Sequence, residues 1–198
     1  MIITREWLES RDEYGHNTAE YLDATAGAGE LDATDAVRLL LRDEEHHELA
    51  NWVLVRLLNH KSRVMYAEAA VDDVLSFLSE PSFREDMQGG LYRTIQCVSN
   101  TMNAWLGNPD ANAIKRVKRM AETALRRNRE IGPRYGQAAI GVGACAIQSI
   151  LSPDDVEMVQ DAAYLSASDE CSIDPGNMEG LVSYGLVLLK EESEGDTE

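Results

Sequence analysis

The sequence predicts an all-α fold, either an antiparallel multi-helix bundle or a short irregular α-solenoid of helix hairpins. Three observations predict it. Apolar residues recur at spacings of three and four along most of the chain, as one face of a helix requires. Periodic segments of roughly 12 to 20 residues are separated by short breaks containing glycine or proline. Phenylalanine occurs only at Phe77 and Phe83 while alanine is abundant, so the core is built from small aliphatic side chains that suit close helix packing.

The elements follow in order. Thr4 caps a short helix ending near Arg11, with Trp7 and Leu8 as apolar contacts. A second short helix covers Thr18 to Ala24 and stops at AGAG, residues 26 to 29. Thr34 or Asp35 starts DAVRLLLRD. After an acidic run containing two histidines, Leu49, Trp52, Val53 and Leu57 form an apolar stripe. Val64, Ala67, Val71, Val74, Leu75 and Leu78 carry the next helix, over residues 62–79, as far as Pro81. Leu91, Ile95, Val98, Met102 and Trp105 form the most regular stripe, stopped by Gly107 and Pro109. Asp110 begins a basic helix, with Ile114, Val117, Ala121 and Leu125 facing inward. Pro133 opens a Gly/Ala-rich helix, and Ser152-Pro153-Asp154 opens another. Residues 177–189 fit a helix or a strand. Residues 1–190 read as a single helical domain on which the short-helix segment 1–30 packs, and residues 191–198 as an acidic disordered tail. The expected core includes Trp52, Leu57, Val71, Ile95, Val98 and Trp105.

The net charge is −17 over 198 residues, and its distribution is uneven. Residues 1–48 carry −9 and residues 150–198 carry −12, whereas residues 111–149 carry +6. Such a field repels phosphate backbones and speeds association with basic proteins. Direct nucleic-acid binding by the whole chain is therefore disfavoured. Cys97, Cys145 and Cys171 are odd in number and without a CxxC pair, a reduced intracellular pattern rather than a disulfide framework. The N-terminus becomes charged at once, and the longest apolar stretch, residues 138–151, is too short to span a bilayer. A cytoplasmic protein without a membrane contact is expected.

Five features carry chemistry worth weighing. RDEEHHELANW, residues 42–52, places Glu44, His47 and Glu48 at helical spacings of three and four, half of a carboxylate-bridged metal arrangement. The other Glu-x-x-His pair, Glu13 and His16, is interrupted by Gly15, and adjacent His46 and His47 do not match a zincin. A solvated helix surface is the preferred reading; a metal-dependent enzyme using Glu44, His47 and Glu48 is the alternative. The basic segment 115–134, including Arg126 and Arg127, lacks interleaved aromatic residues for base stacking. It suits a solvated face docked on acidic segments of the same chain or a second copy, with an anionic ligand or partner protein as the other choices. The acidic ends, with thirteen carboxylates in each of residues 1–48 and 150–198, could mimic nucleic acid. GVGACA, residues 141–146, matches Gly-x-Gly-x-x-Ala with Asp161 about twenty residues on, but no convincing strand precedes it. Cys145 within it reads as a small core residue.

The pieces ITREWLES (3–10) and ELANWVLVRLLNHKSRVMYAEAAVDDVLSFLSE (48–80) resemble a group of bacterial and phage proteins described as immunity proteins of toxin systems. Their pattern opens with I-T-x-x-W-L, matched here by Ile3, Thr4, Trp7 and Leu8. A W-A-N-W-L-x-V-R-L helix is matched by Ala50, Asn51, Trp52, Val55, Arg56 and Leu57, and an alanine-rich helix by Tyr66, Ala67, Ala69 and Ala70. Leu49 stands where the pattern has tryptophan and Val53 where it has leucine. DEYGHN replaces a small A-C-x-x-G motif. The likeness covers roughly the first 80 residues and continues more loosely to about residue 150. It implies an all-helical fold and inhibition of a toxin or effector.

The expected function is a non-enzymatic acidic binding module without a cofactor, acting on a basic toxin, effector or host protein. An immunity or inhibitor role is its most concrete form, and a phage anti-defence or nucleic-acid-mimic protein is the runner-up. The expected contact residues are Glu44, Glu45, Glu48, Asp154 and Asp155, with Arg126 and Arg127 as the opposing basic set. A homo-oligomer is compatible with the same charge pattern.

Overall fold

The computed structural model describes residues 2–10, 18–26, 30–80, 90–108, 134–151 and 177–195, with residues 115, 119, 126, 160, 163–165 and 167. Within them the fold is all-α, with one two-stranded antiparallel ribbon, β1 (Ile2–Ile3) paired to β2 (Leu31–Asp32). The ribbon is absent from the sequence reading, since two residues per strand are too few to show an alternation.

Helix α1 (Arg5–Glu9) begins at Thr4, whose side chain accepts from the Trp7 amide at 3.1 Å. Its last turn closes at Ser10, short of the expected Arg11. Helix α2 (Thr18–Ala26) runs two residues past the expected end. Arg5 joins the two, pairing with Glu9 at 2.6 Å and with Asp23. Helix α3 (Ala33–Leu40) is capped by Asp32, which accepts from Thr34 N–H at 2.9 Å, so neither Thr34 nor Asp35 is the start. Asp32 serves because its extended backbone ends β2 and leaves the carboxylate free to turn back on the first helical amides. Ile3, Leu8, Ala19 and Leu22 are buried in the same apolar cluster as the later helices.

A 3₁₀ turn (Glu44–His46) leads into α4 (His47–Leu57). The stripe expected on α4 is an understatement. Ala50 to Val55 are buried without a break, because α3 covers one flank and α8 (Met178–Gly195) another. Helix α5 (His60–Ser79), capped by Asn59, is the hub of the fold. It packs on α6 (Gly90–Gly107), α7 (Arg134–Leu151) and α8, and α6 also packs on α7. Contacts between elements far apart in sequence, α4 with α8 and α5 with α8, make this a bundle rather than a solenoid.

Trp52, Leu57, Val71, Ile95 and Val98 are buried as expected. Trp105 is only half-buried, stacked at 57° against His60 with ring centroids 5.1 Å apart. It lies in the last turn of α6, where the stripe runs out toward the helix end. Two other readings are corrected. Residues 178–195 are one continuous helix, which resolves 177–189 in favour of α and makes 191–195 helical rather than a disordered tail. The acidic end is helical because it continues a helix already held by buried Met178, Leu181, Val182 and Leu188, and propagation is far easier than nucleation. GVGACA lies in the middle of α7. The strand-to-helix turn that a dinucleotide fingerprint requires is therefore not there.

The proposed starts at Asp110, Pro133 and Ser152–Asp154, the inward positions Ile114, Val117, Ala121 and Leu125, Glu13 and His16, Asp161, and tail residues 196–198 lie outside the described residues. Among the described residues, no helix is long and apolar enough to cross a membrane.

Candidate functional site

The entry to α4 gathers the acidic residues singled out from the sequence. Asp43 caps the 3₁₀ turn, accepting from Glu45 N–H at 3.2 Å. Glu44, Glu45 and Glu48 are exposed, and the amide ends of the turn and of α4 favour negative charge there. The two histidines turn inward from this carboxylate group. His46 Nδ1 lies 3.4 Å from Asp43 Oδ2, and His47 Nε2 lies 3.2 Å from the Leu41 carbonyl oxygen. The alternative metal set Glu44, His47 and Glu48 needed one α-helix through all three. Glu44 instead sits in the 3₁₀ turn and His47 starts α4, so Glu44 and Glu48 do not stand four apart on a single α-helix. Among the described residues, no group of three or more His, Cys, Asp or Glu could hold a metal ion.

Of the opposing basic set, Arg126 is helical and exposed, as are Lys115 and Arg119. Arg127, Asp154 and Asp155 lie outside the described residues. The structure thus leaves Glu44, Glu45 and Glu48 exposed at the entry to α4.

Two polar clusters escaped the sequence reading. The first joins α5 to α6. Ser99 donates to Asp72 at 3.0 Å and to Glu68 at 3.4 Å, and the Asn103 amide donates to Glu68 at 2.7 Å. Burial and the neighbouring Asp72 push the Glu68 carboxyl above the usual carboxylate range, against the bonds from Asn103 and Ser99. Burial, with the Glu68 charge second, likewise raises the Tyr184 phenol. Because the folded value of Glu68 is raised, its contribution to stability is complete at low pH and declines as pH rises through that value. Glu68→Gln, permanently neutral and still able to accept from Asn103, is expected to stabilise the protein by about 0.2–0.5 kcal/mol at pH 8. The advantage should shrink toward pH 4. Urea unfolding at both pH values checks this, and a variant less stable at pH 8 would contradict it. A signal was present in sequence: Glu68 and Asp72 are four apart on a helix, a like-charged pair.

The second cluster lies at the α4–α5 corner. Arg63, 7% exposed, donates from Nε to the Val55 carbonyl oxygen at 2.7 Å and from Nη2 to the Arg56 carbonyl oxygen at 3.5 Å. Burial lowers its guanidinium to about 10, with Arg56 acting in the same sense and Glu192 opposing. Arg56 itself lies over the Trp52 ring, 4.1 Å from its centroid. Glu192 reaches the corner from α8, accepting from Asn59 N–H at 3.0 and 3.3 Å through its two oxygens. Sequence reasoning missed this because 129 residues separate Arg63 from Glu192.

Comparison of the chain with protein-family models, with curated proteins and with solved structures finds no match.

Proposed function

We propose that this protein is a non-enzymatic acidic binding module that engages a basic protein partner, most concretely as an immunity or inhibitor protein against a toxin, effector or host protein. The observation that carries the reading is the exposed carboxylate group Glu44, Glu45 and Glu48 at the entry to α4, on a chain of net charge −17. Helix amides oriented toward these residues help hold their charge at the surface. A rigid, buried α4 behind them keeps the group in one place, so a basic surface meets preorganised charge rather than a mobile tail. The likeness of residues 3–10 and 48–80 to immunity proteins supports the same reading.

The test begins with capture from cells at low salt, using wild type and the triple variant Glu44→Gln, Glu45→Gln, Glu48→Gln. A basic protein should be recovered with wild type, and its association rate should fall about tenfold or more between low and physiological salt. The triple variant should lose association rate more than complex lifetime, and its unfolding midpoint should lie only slightly below that of wild type. A captured partner that is itself acidic and releases on Arg126→Glu would reverse the assignment in favour of the basic set.

A further inference from the structure

We propose that α8 ends in a releasable strap, residues 190–195, latched over the α4–α5 corner by Glu192. The helix divides into two parts by what it buries. Residues 178–188 supply Met178, Leu181, Val182 and Leu188 to the core. Gly185 lets this part approach so closely that a Cβ there would stand 2.2 Å from Leu54 Cδ2 and 3.1 Å from the Tyr66 ring. Beyond Leu189 the side chains are Lys190, Glu191, Glu192, Ser193 and Glu194, all exposed except half-buried Glu192. Lys190 and Glu194 pair along the helix at 3.7 Å with both side chains largely in solvent, a contact of little weight.

Glu192 makes a tertiary attachment. Both its oxygens accept from Asn59 N–H at the positive end of the twenty-residue α5, and its charge acts on buried Arg63 in the opposite sense to Arg56. An element with few buried apolar contacts and an electrostatic fastening opens locally, without unfolding the bundle. Its opening uncovers the Asn59 amide at the start of α5 and takes a negative charge away from Arg63 and Arg56. The strap is therefore a cis-acting cover over that corner.

Amide hydrogen exchange of the full chain tests the device. Amides of residues 190–195 should exchange at least tenfold faster than those of 181–188, with almost no dependence on urea, the signature of an opening that exposes little surface. Raising salt should accelerate them in wild type, since screening weakens the latch. Glu192→Ala should accelerate them several-fold at low salt and abolish the salt response, whereas Glu191→Ala, which alters an exposed neighbour, should do neither. The proposal is overturned if 190–195 exchange with the rate and urea dependence of 181–188, because the segment then opens only with the whole fold. It is equally overturned if Glu192→Ala behaves as Glu191→Ala or keeps the wild-type salt response, because Glu192 is then no latch.

Discussion

Replacing Asn51 by alanine is expected to lower the unfolding free energy by about 2–4 kcal/mol. Asn51 is fully buried in α4, donates to the Tyr164 carbonyl at 3.1 Å, and accepts from the Tyr66 hydroxyl of α5 at 3.0 Å. One side chain thus ties together α4, α5 and the segment at residues 163–165. Alanine leaves the buried Tyr66 hydroxyl and the part-buried Tyr164 carbonyl without this partner, and a buried group so left costs about 1–3 kcal/mol. The double variant Asn51→Ala, Tyr66→Phe should cost less than the sum of the single ones, because phenylalanine removes one of the stranded groups. Urea unfolding of the three variants measures the cycle. A loss below about 0.5 kcal/mol for Asn51→Ala, or strict additivity in the cycle, would mean that the two bonds are not both made.

Ile95→Ala should cost about 2–5 kcal/mol. Ile95 is fully buried on α6, a helix that packs against both α5 and α7. Truncation removes apolar contacts on two fronts and leaves a cavity that two rigid neighbours cannot close. Tyr92→Ala, one turn earlier on the same helix but 38% exposed, serves as the control and should cost much less. If Ile95→Ala unfolds within about 0.5 kcal/mol of wild type, the apolar stripe of α6 faces water and the bundle is assembled differently.

The legible parts of the fold are those written in local periodicity. The stripe of α6 and that of α5 recur every three or four residues, and burial follows them closely until Trp105, where the helix ends. Caps were legible where one residue type monopolises the role, as Thr4 does. They were misplaced where Asp32, Thr34 and Asp35 compete, since all three types can cap and only the end of β2 selects among them. The acidic group at Glu44, Glu45 and Glu48 was legible as a charge run, but its geometry was not. A 3₁₀ turn between two helical segments shifts the phase of every side chain after it.

Taken alone, the sequence determined the all-helical class, most of the core and the acidic character of the surface. Each of these follows from neighbours within a turn or two, or from composition. Only the tertiary structure decided how much of α4 is buried, since that depends on α3 and α8 arriving on its flanks. It also decided that Glu191, Glu192 and Glu194 continue a helix, and that Glu192 meets the Asn59 amide. Charge attraction specifies sign but not address. The address is set by the apolar docking of α8 through Gly185, Leu54 and Tyr66, which carries Glu192 to a corner where a buried guanidinium and a helix amide end coincide.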